Sequence, residues 1–467
     1  MLEQLVLRQK SFAQHARTES WHQRFDYLES LKSLITDHQQ DLCKALYEDF
    51  KKPELESLAT EIMPLLKEIR YAQKHLKKWM KPQRVCTPLL LFGSKSYTRF
   101  EALGSCLIIS PWNYPLYLTM APLVSALAAG NAAVIKPSEY APHTSRLMHS
   151  LLSKYFKPEQ VSVIEGGPET TTELLKLPFD HVFFTGSTEV GRIIMKGAAH
   201  SLARVTLELG GKSPTIIDST ANLKLAAQKI IWAKFVNAGQ TCVAPDYLFV
   251  QENIHHEFLK TLKGQLEESF GSNKDDVKSS KSFARIINRH HTDRLKGLLE
   301  DAISNSASLV AGGEVDLEQH YVAPTLLDNV DPHIKVMNEE IFGPILPILK
   351  FKDISEVVHF INERPKPLTI YCYSHSEHNI KKLMKETSSG TLSVNDSLIS
   401  LLNPNLPFGG VGASGLGAYH GYHGFETFSH KKAIFRQGFA GRLMAIIYPP
   451  YNQTKLDLLK RIIRLKL

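Results

Sequence analysis

Between residues 104 and 209 the chain alternates two textures, and that alternation limits its fold more than any other feature. Short apolar runs lie at 107–109, 132–135, 161–164, 181–184 and 204–209. Stretches with apolar residues spaced by three and four lie between them, at 116–129, 145–155, 169–176 and 189–198. A strand that is apolar along its length is one covered on both faces. Strand and helix in regular succession call for a parallel sheet with helical crossovers. Gly130 suits the left-handed residue that ends the first of these helices. The texture restarts after Gly210 and Gly211, with strands read at 215–218, 247–250 and 368–373 and a helix at 223–236, which predicts a second α/β domain. The first 80 residues read as helix, over 21–37, 38–50 and 55–80, until Pro82 and Pro88 stop the pattern. A short strand at 94–100 follows, half of a hairpin with 84–92. From about 400 the chain is Gly-rich and reads as irregular.

Composition narrows the function classes. A chain of 467 residues suits two or three domains. Its 43% hydrophobic and 22% charged residues are enough for a large core, so disorder is excluded as the main state. The five cysteines (Cys43, Cys86, Cys106, Cys242, Cys372) include no CxxC pair, which speaks against a disulfide framework or a metal site. No apolar run has the length of a membrane span; the longest, 121–135, is interrupted by Ser125, Gly130 and Asn131. Glu3, Arg8 and Lys10 leave no signal-peptide core at the start, so a cytoplasmic location is expected. The net charge of +8 is uneven: residues 455–467 hold five basic side chains and one acidic one. No basic stripe interleaved with aromatics is visible, so nucleic acid is not an expected partner.

Several residues could carry chemistry. Phe183 to Gly191 reads as strand, glycine turn and helix start, where a bare backbone at Gly186 and free N–H groups suit a phosphate; taken alone, a plain tight turn explains it better. Lys136 and Glu139 end a strand on the side where open α/β sheets face their ligands, and could grip a ribose or pair in solvent. Cys242 sits in a small polar loop after a helix, as a reactive thiol or an inert buried one. Glu208, among leucines at a strand end, would have a raised pKa suited to a general base, unless it turns to water. Asn113, between two prolines, could donate to an oxyanion or serve the turn.

These strings together resemble the aldehyde dehydrogenase superfamily over nearly the whole chain. The motifs occur in order: PWNYP at 111–115, GNAAVIKPSE at 130–139, FTGSTEVG at 184–191, LELGGKSP at 207–214, NAGQTC at 237–242, EEIFGP at 339–344 and PFGG at 407–410. The short region before PWNYP, the segment 406–432 and Tyr448-Pro449-Pro450-Tyr451 resemble class 3, the fatty and aromatic aldehyde group. The resemblance implies oxidation of an aldehyde to a carboxylic acid. Cys242 would form a thiohemiacetal and then a thioester, Asn113 would hold the oxyanion, and Glu208 would activate the hydrolytic water. It implies a Rossmann-type cofactor domain. Lys136 and Glu139 would meet the adenine ribose, Gly186 and Ser187 the pyrophosphate, and Glu340 the nicotinamide ribose with Phe342 beside it. Trp112, Ser138, Gly191, Leu209 and Gly210 complete the cofactor set. The Glu139 carboxylate disfavours a 2′-phosphate, so NAD is favoured, with NADP open because class 3 members often accept both.

The resemblance also implies an NAD(P)-binding domain at 1–81 and 101–208, a catalytic domain at 209–395, a bridging element at 82–100 with 396–435, and a tail at 436–467. Class 3 relatives are typically homodimers. Leu458, Leu459, Ile462, Ile463 and Leu465 fall on one side of a tail helix, opposite Lys460, Arg461 and Arg464. Packing on its own protein or covering the substrate entrance is expected ahead of weak contact with an anionic membrane surface. Pocket walls are expected near Tyr114, Leu118, Trp232, Thr241, His420 and His423. Two competing functions are an acyltransferring dehydrogenase that uses coenzyme A, which generally lacks the Glu208 base, and a non-catalytic protein on the same scaffold.

Overall fold

The computed structural model describes residues 2–88, 91–438 and 446–464. Its first sheet holds the strands β1 (Ser105–Ile109), β2 (Ala132–Lys136), β3 (Val161–Val163), β4 (His181–Gly186) and β5 (Arg204–Leu209), in the order β5-β4-β1-β2-β3, all parallel. A short strand, Gly415–Leu416, adds antiparallel to β5. The apolar runs are apolar because both faces are covered. Along β1, Cys106 and Ile108 join a core with helices Trp21–Asp37, Met63–Trp79 and Tyr117–Ala129, whereas Leu107 and Ile109 join Leu5, Val6 and Ile194 on the other side. Helix Tyr117–Ala129 is buried from Leu118 to Ala129, and Gly130 ends it in the left-handed conformation, φ 83°.

The chain runs outward from β1 to β2 and β3, then returns to β4 on the other side of β1. That reversal opens a crevice at the carboxyl ends of β1 and β4. Lys136, Gly186 and Glu208 all lie at strand carboxyl ends along this edge.

A second sheet contains β6 (Pro214–Ile217), β7 (Tyr247–Gln251), β8 (Ser308–Ala311), β9 (Thr325–Asp328), β10 (Ile345–Phe351), β11 (Thr369–Tyr373) and β12 (Thr391–Val394), ordered β8-β9-β10-β7-β6-β11-β12. Only the β8–β9 pair is antiparallel. Helices Leu223–Phe235, His255–Phe270 and Arg289–Ser304 pack on it through one continuous core. Strand Lys95–Ala102 is sandwiched between Gln83–Arg84 and Ser429–Arg436 in a separate antiparallel sheet.

Four local readings differ from the structure. The strand read at 84–92 shrinks to Gln83–Arg84, while its partner lengthens to Lys95–Ala102; Leu89 and Leu90 lie outside the described residues. The helix read over 55–80 contains a π-helical turn, Leu58–Ile62. The region beyond 400 is irregular only in part, since helix Gly421–Thr427 and strand Ser429–Arg436 form within it. The tail helix, Gln453–Arg464, forms as read, but none of its residues is buried, against the expected packing. Leu465 and Lys466 fall outside the described residues. Among the described residues no helix is long and apolar enough to cross a membrane, and no group of three His, Cys, Asp or Glu could hold a metal ion.

Candidate active site

Helix Leu223–Phe235 stops where the chain turns left-handed at Asn237 and Ala238, φ 55° and 51°, and at Gly239, φ 76°. A Cβ on Gly239 would overlap the Gly343 carbonyl, so only glycine allows this loop so close to the 339–344 loop. The Gln240 side chain fixes the turn. Its amide donates to the carbonyls of Asn237 and Arg285, 2.9 and 3.0 Å, and accepts the Ile287 N–H, 2.9 Å. Cys242 leaves this loop partly exposed.

Asn113 is brought to the same loop from the other sheet. Its side-chain N–H donates to the Gln240 carbonyl, 2.9 Å, and its own carbonyl accepts from the Asn237 side chain, 2.7 Å. Beside it the Tyr114 hydroxyl shares a hydrogen bond with Thr241, 2.7 Å.

Glu208 is 3% exposed, and both its carboxyl oxygens lack a hydrogen-bond partner. Burial alone raises its pKa well above the usual carboxylate range. The Cys242 thiol is pushed up to about 12, first by burial and then by the Glu340 and Glu208 carboxyls; the N–H groups of Cys242 and Val243 pull the other way. Burial, then the Asp246 charge, raises Glu340 to about 8. Burial therefore raises both carboxyls and the thiol of the crevice above their ordinary ranges.

Glu340 sits on a loop clamped by charges. Lys212 pairs with Asp246 and donates to the carbonyls of Val336 and Glu339, 2.8 and 2.9 Å. Asp246 accepts the Ile341 N–H, 3.1 Å, and Arg294 donates to the carbonyls of Glu340 and Ile341. A Cβ on Gly210 would overlap the Glu340 carboxyl. Phe342, at φ 48°, meets the Trp112 ring edge to face at 5.3 Å, and the His291 ring also lies against Trp112, at 5.1 Å.

Farther along the crevice Lys136 donates to Glu139, 2.7 Å, at the end of β2. The Ser138 hydroxyl is occupied by the Tyr140 N–H, 3.2 Å. Ser187 caps helix Thr188–Ala198 through the Val190 N–H, 3.3 Å, and Gly191 in that helix packs against Leu209. A bare strand end, a helix N-terminus, a ribose-sized carboxylate–lysine pair and a second buried carboxyl along one crevice suit a dinucleotide.

Among the expected pocket residues, Tyr114, Leu118, Thr241 and His420 are buried and Trp232 is 44% exposed. His420 donates to or accepts from the Tyr117 hydroxyl, 3.1 Å, and stacks on Phe408; His423 instead lies beside Tyr422. Two orphan polar groups escape a sequence reading. The Lys234 amine is fully buried without a partner, lowered to about 8 by burial. The Tyr419 hydroxyl is buried without a partner too. In the sequence Lys234 lies in the stretch read as helix 223–236 and Tyr419 in the Gly-rich region beyond 400, and neither position signals a buried group without a partner.

A thiol, an unpaired carboxyl and a donor amide lie together beside a crevice of a shape that suits a dinucleotide. The comparisons agree: the aldehyde dehydrogenase family model matches residues 6–434, and the chain belongs to that family. It is 45% identical over 97% of both chains to a Staphylococcus aureus 4,4'-diaponeurosporen-aldehyde dehydrogenase. It is 41% identical to the aldehyde dehydrogenase family 3 member A2 of Rattus norvegicus, over 98% of this chain and 93% of that one, which places it with the class 3 enzymes. A solved structure of a substrate-bound Staphylococcus aureus AldH superposes with a TM-score of 0.93 at 44% identity, covering 99% of each chain. The chain is an aldehyde dehydrogenase, an oxidoreductase of a family that uses NAD or NADP.

Proposed function

We propose that this enzyme oxidises medium- and long-chain aliphatic or aromatic aldehydes to carboxylic acids, with NAD favoured, through a thioester on Cys242. The observation that carries the hydrolytic reading is Glu208: a buried carboxyl with neither oxygen bonded costs about 1–3 kcal/mol and stabilises nothing it touches. Such a group is what a base for water requires.

The Cys242 thiol gives its proton to solvent water as its sulfur bonds to the aldehyde carbon, and the carbonyl π pair moves onto the oxygen. The oxyanion that forms meets the amide of Asn113, which can donate twice, and the Cys242 backbone N–H. NAD or NADP, when bound, would supply the hydride acceptor for that carbon. Lys136 and Glu139 would hold its adenine ribose, Gly186, Ser187 and the helix that starts there its pyrophosphate, and Glu340 its other ribose. Trp112, Ser138, Gly191, Leu209, Gly210 and Phe342 shape the groove. Glu208 then takes a proton from water as the water oxygen bonds to the acyl carbon, and the Cys242 sulfur leaves as thiolate. A coenzyme A thiol would need no such base, so the acyltransferring reading is disfavoured.

Glu139 repels a 2′-phosphate, which supports NAD. The name of the staphylococcal relative, a long apolar aldehyde, supports an extended apolar substrate. The class 3 likeness supports a homodimer and the division into cofactor, catalytic and bridging parts. The unburied tail helix, with Lys455, Lys460, Arg461 and Arg464, permits weak contact with an anionic membrane surface.

The test is reduced-nicotinamide formation with short aliphatic, long aliphatic and aromatic aldehydes, each with NAD and with NADP. Turnover should favour the longer or aromatic aldehydes and NAD, and Cys242→Ala should lower it by at least about a thousandfold. Activity that survives in Cys242→Ala would end the covalent reading; equal use of both cofactors would end the role of Glu139.

A further inference from the structure

The two catalytic loops come from different sheets, yet one stretch of the N-terminal helical region touches both. Lys52 and Glu61 are each 0% exposed, and the Lys52 amine donates to one Glu61 oxygen at 2.7 Å. The other Glu61 oxygen accepts the N–H groups of Leu116 and Tyr117, 2.9 and 3.1 Å. Those two residues continue directly from Asn113 and open helix Tyr117–Ala129, whose first N–H groups have no partner inside the helix. The same Lys52 amine lies 4.0 Å from the centre of the Tyr114 ring. Four residues along the segment, Glu56 accepts the N–H of Asn237, 2.9 Å, at the left-handed turn of the nucleophile loop. The π-helical turn Leu58–Ile62 carries Glu61, and π-turns recur at functional sites.

A buried ion pair is poor evidence for stability, because apolar residues of equal volume often serve as well or better. What the pair supplies is geometry: a carboxylate with three donors has one place to be. We propose that Lys52, Glu56 and Glu61 are positioning residues, which hold the Asn113 loop and the Asn237–Cys242 loop in register so that the oxyanion donor meets the carbon attacked by Cys242. This rests on the roles proposed above for Asn113 and Cys242. None of the three touches the reacting atoms.

The test uses the double variant Lys52→Met/Glu61→Leu, which removes both charges at similar volume, and Lys52→Met/Glu61→Gln, which restores a carbonyl oxygen for the two N–H groups. The Leu variant should lose about ten- to a hundredfold in kcat. Its KM for NAD should stay within about twofold, and alkylation of Cys242 by iodoacetamide should slow. The Gln variant should recover most of the kcat. If the Leu variant does not fold, Glu56→Ala, at the edge of the network, should give about a tenfold loss in kcat with KM for NAD unchanged. Wild-type kcat in the Leu variant, or a loss that the Gln variant does not reverse, overturns the proposal. Asn113→Ala and Cys242→Ala run alongside: if they stay active the site reading fails, and if they are dead while the Leu variant matches wild type only the register proposal fails.

Discussion

Glu208 ends the last parallel strand of the first sheet, and Asp218 follows the first strand of the second. Both are buried, 3% and 1% exposed, and the molecule treats them in opposite ways. Asp218 accepts from the Thr220 N–H, 2.9 Å, from the Asn379 side chain, 2.8 Å, and from the Ser374 hydroxyl, and so ties β6, β11 and helix Glu377–Glu386 together. Glu208 accepts from nothing. Burial of a carboxylate costs the same in either place; only at Asp218 do hydrogen bonds offset it. A satisfied buried acid is part of the scaffold, whereas an unsatisfied one is a standing cost that folding alone does not explain.

Replacing each acid should break the molecule in a different way. The largest effect is expected on turnover. Glu208→Gln should lower steady-state kcat by about a hundred- to ten-thousandfold. A first burst of reduced nicotinamide, about one per site, should survive, because only thioester hydrolysis needs the base. An unchanged kcat would remove the functional half of the comparison; a lost burst would move Glu208 to the earlier, thiol-deprotonating step.

Asp218→Ala should do the reverse. It leaves Ser374, Asn379 and the Thr220 N–H without their acceptor and should cost about 3 kcal/mol, read as a lower Tm. The kcat of the protein that stays folded should not change. A Tm equal to wild type would show that the network of Asp218 is dispensable, and bonding would then no longer separate scaffold acids from catalytic ones.

Much of this was legible in the chain. The parallel strands from Ser105 to Leu209 announced themselves because burial on both faces demands continuous apolar residues. Cys242, Glu208, Asn113 and Glu340 were legible because their motifs occur in order. What escaped did so for physical reasons. The central strand Ile345–Phe351 carries Pro347, a residue that normally argues against a central strand; it sits opposite Leu327, before the pairing with β7 begins at Ile348. Lys52 and Glu61 are nine positions apart, a spacing that places no two side chains on one helical face, and they meet only because a π-turn and a break at Pro53 intervene. The bareness of Lys234 and Tyr419 depends on what surrounds them in space, and periodicity carries no trace of it.

The smallest effect is the sharpest test of the bare carboxyl, because it needs no substrate. In the unfolded chain Glu208 titrates near the ordinary value of about 4.3; in the folded protein burial raises it well above that. Between the two values the folded state holds a proton that the unfolded state has released. Stability therefore falls as pH rises, by about 1.4 kcal/mol per pH unit while the window lasts. Glu340, Glu56 and Glu68 are also raised, to about 8, 7 and 7, so wild type alone cannot isolate one group. Glu208→Gln can, since a glutamine has no proton to lose in this range and the other acids are common to both proteins. The difference in Tm, variant minus wild type, should grow as pH rises above about 5. The same substitution at a paired acid has the opposite sign, because a carboxylate held by donors is worth more ionised. A difference that stays flat with pH would mean that Glu208 is ionised in the folded protein and has found partners in solution, and the contrast with Asp218 would be gone.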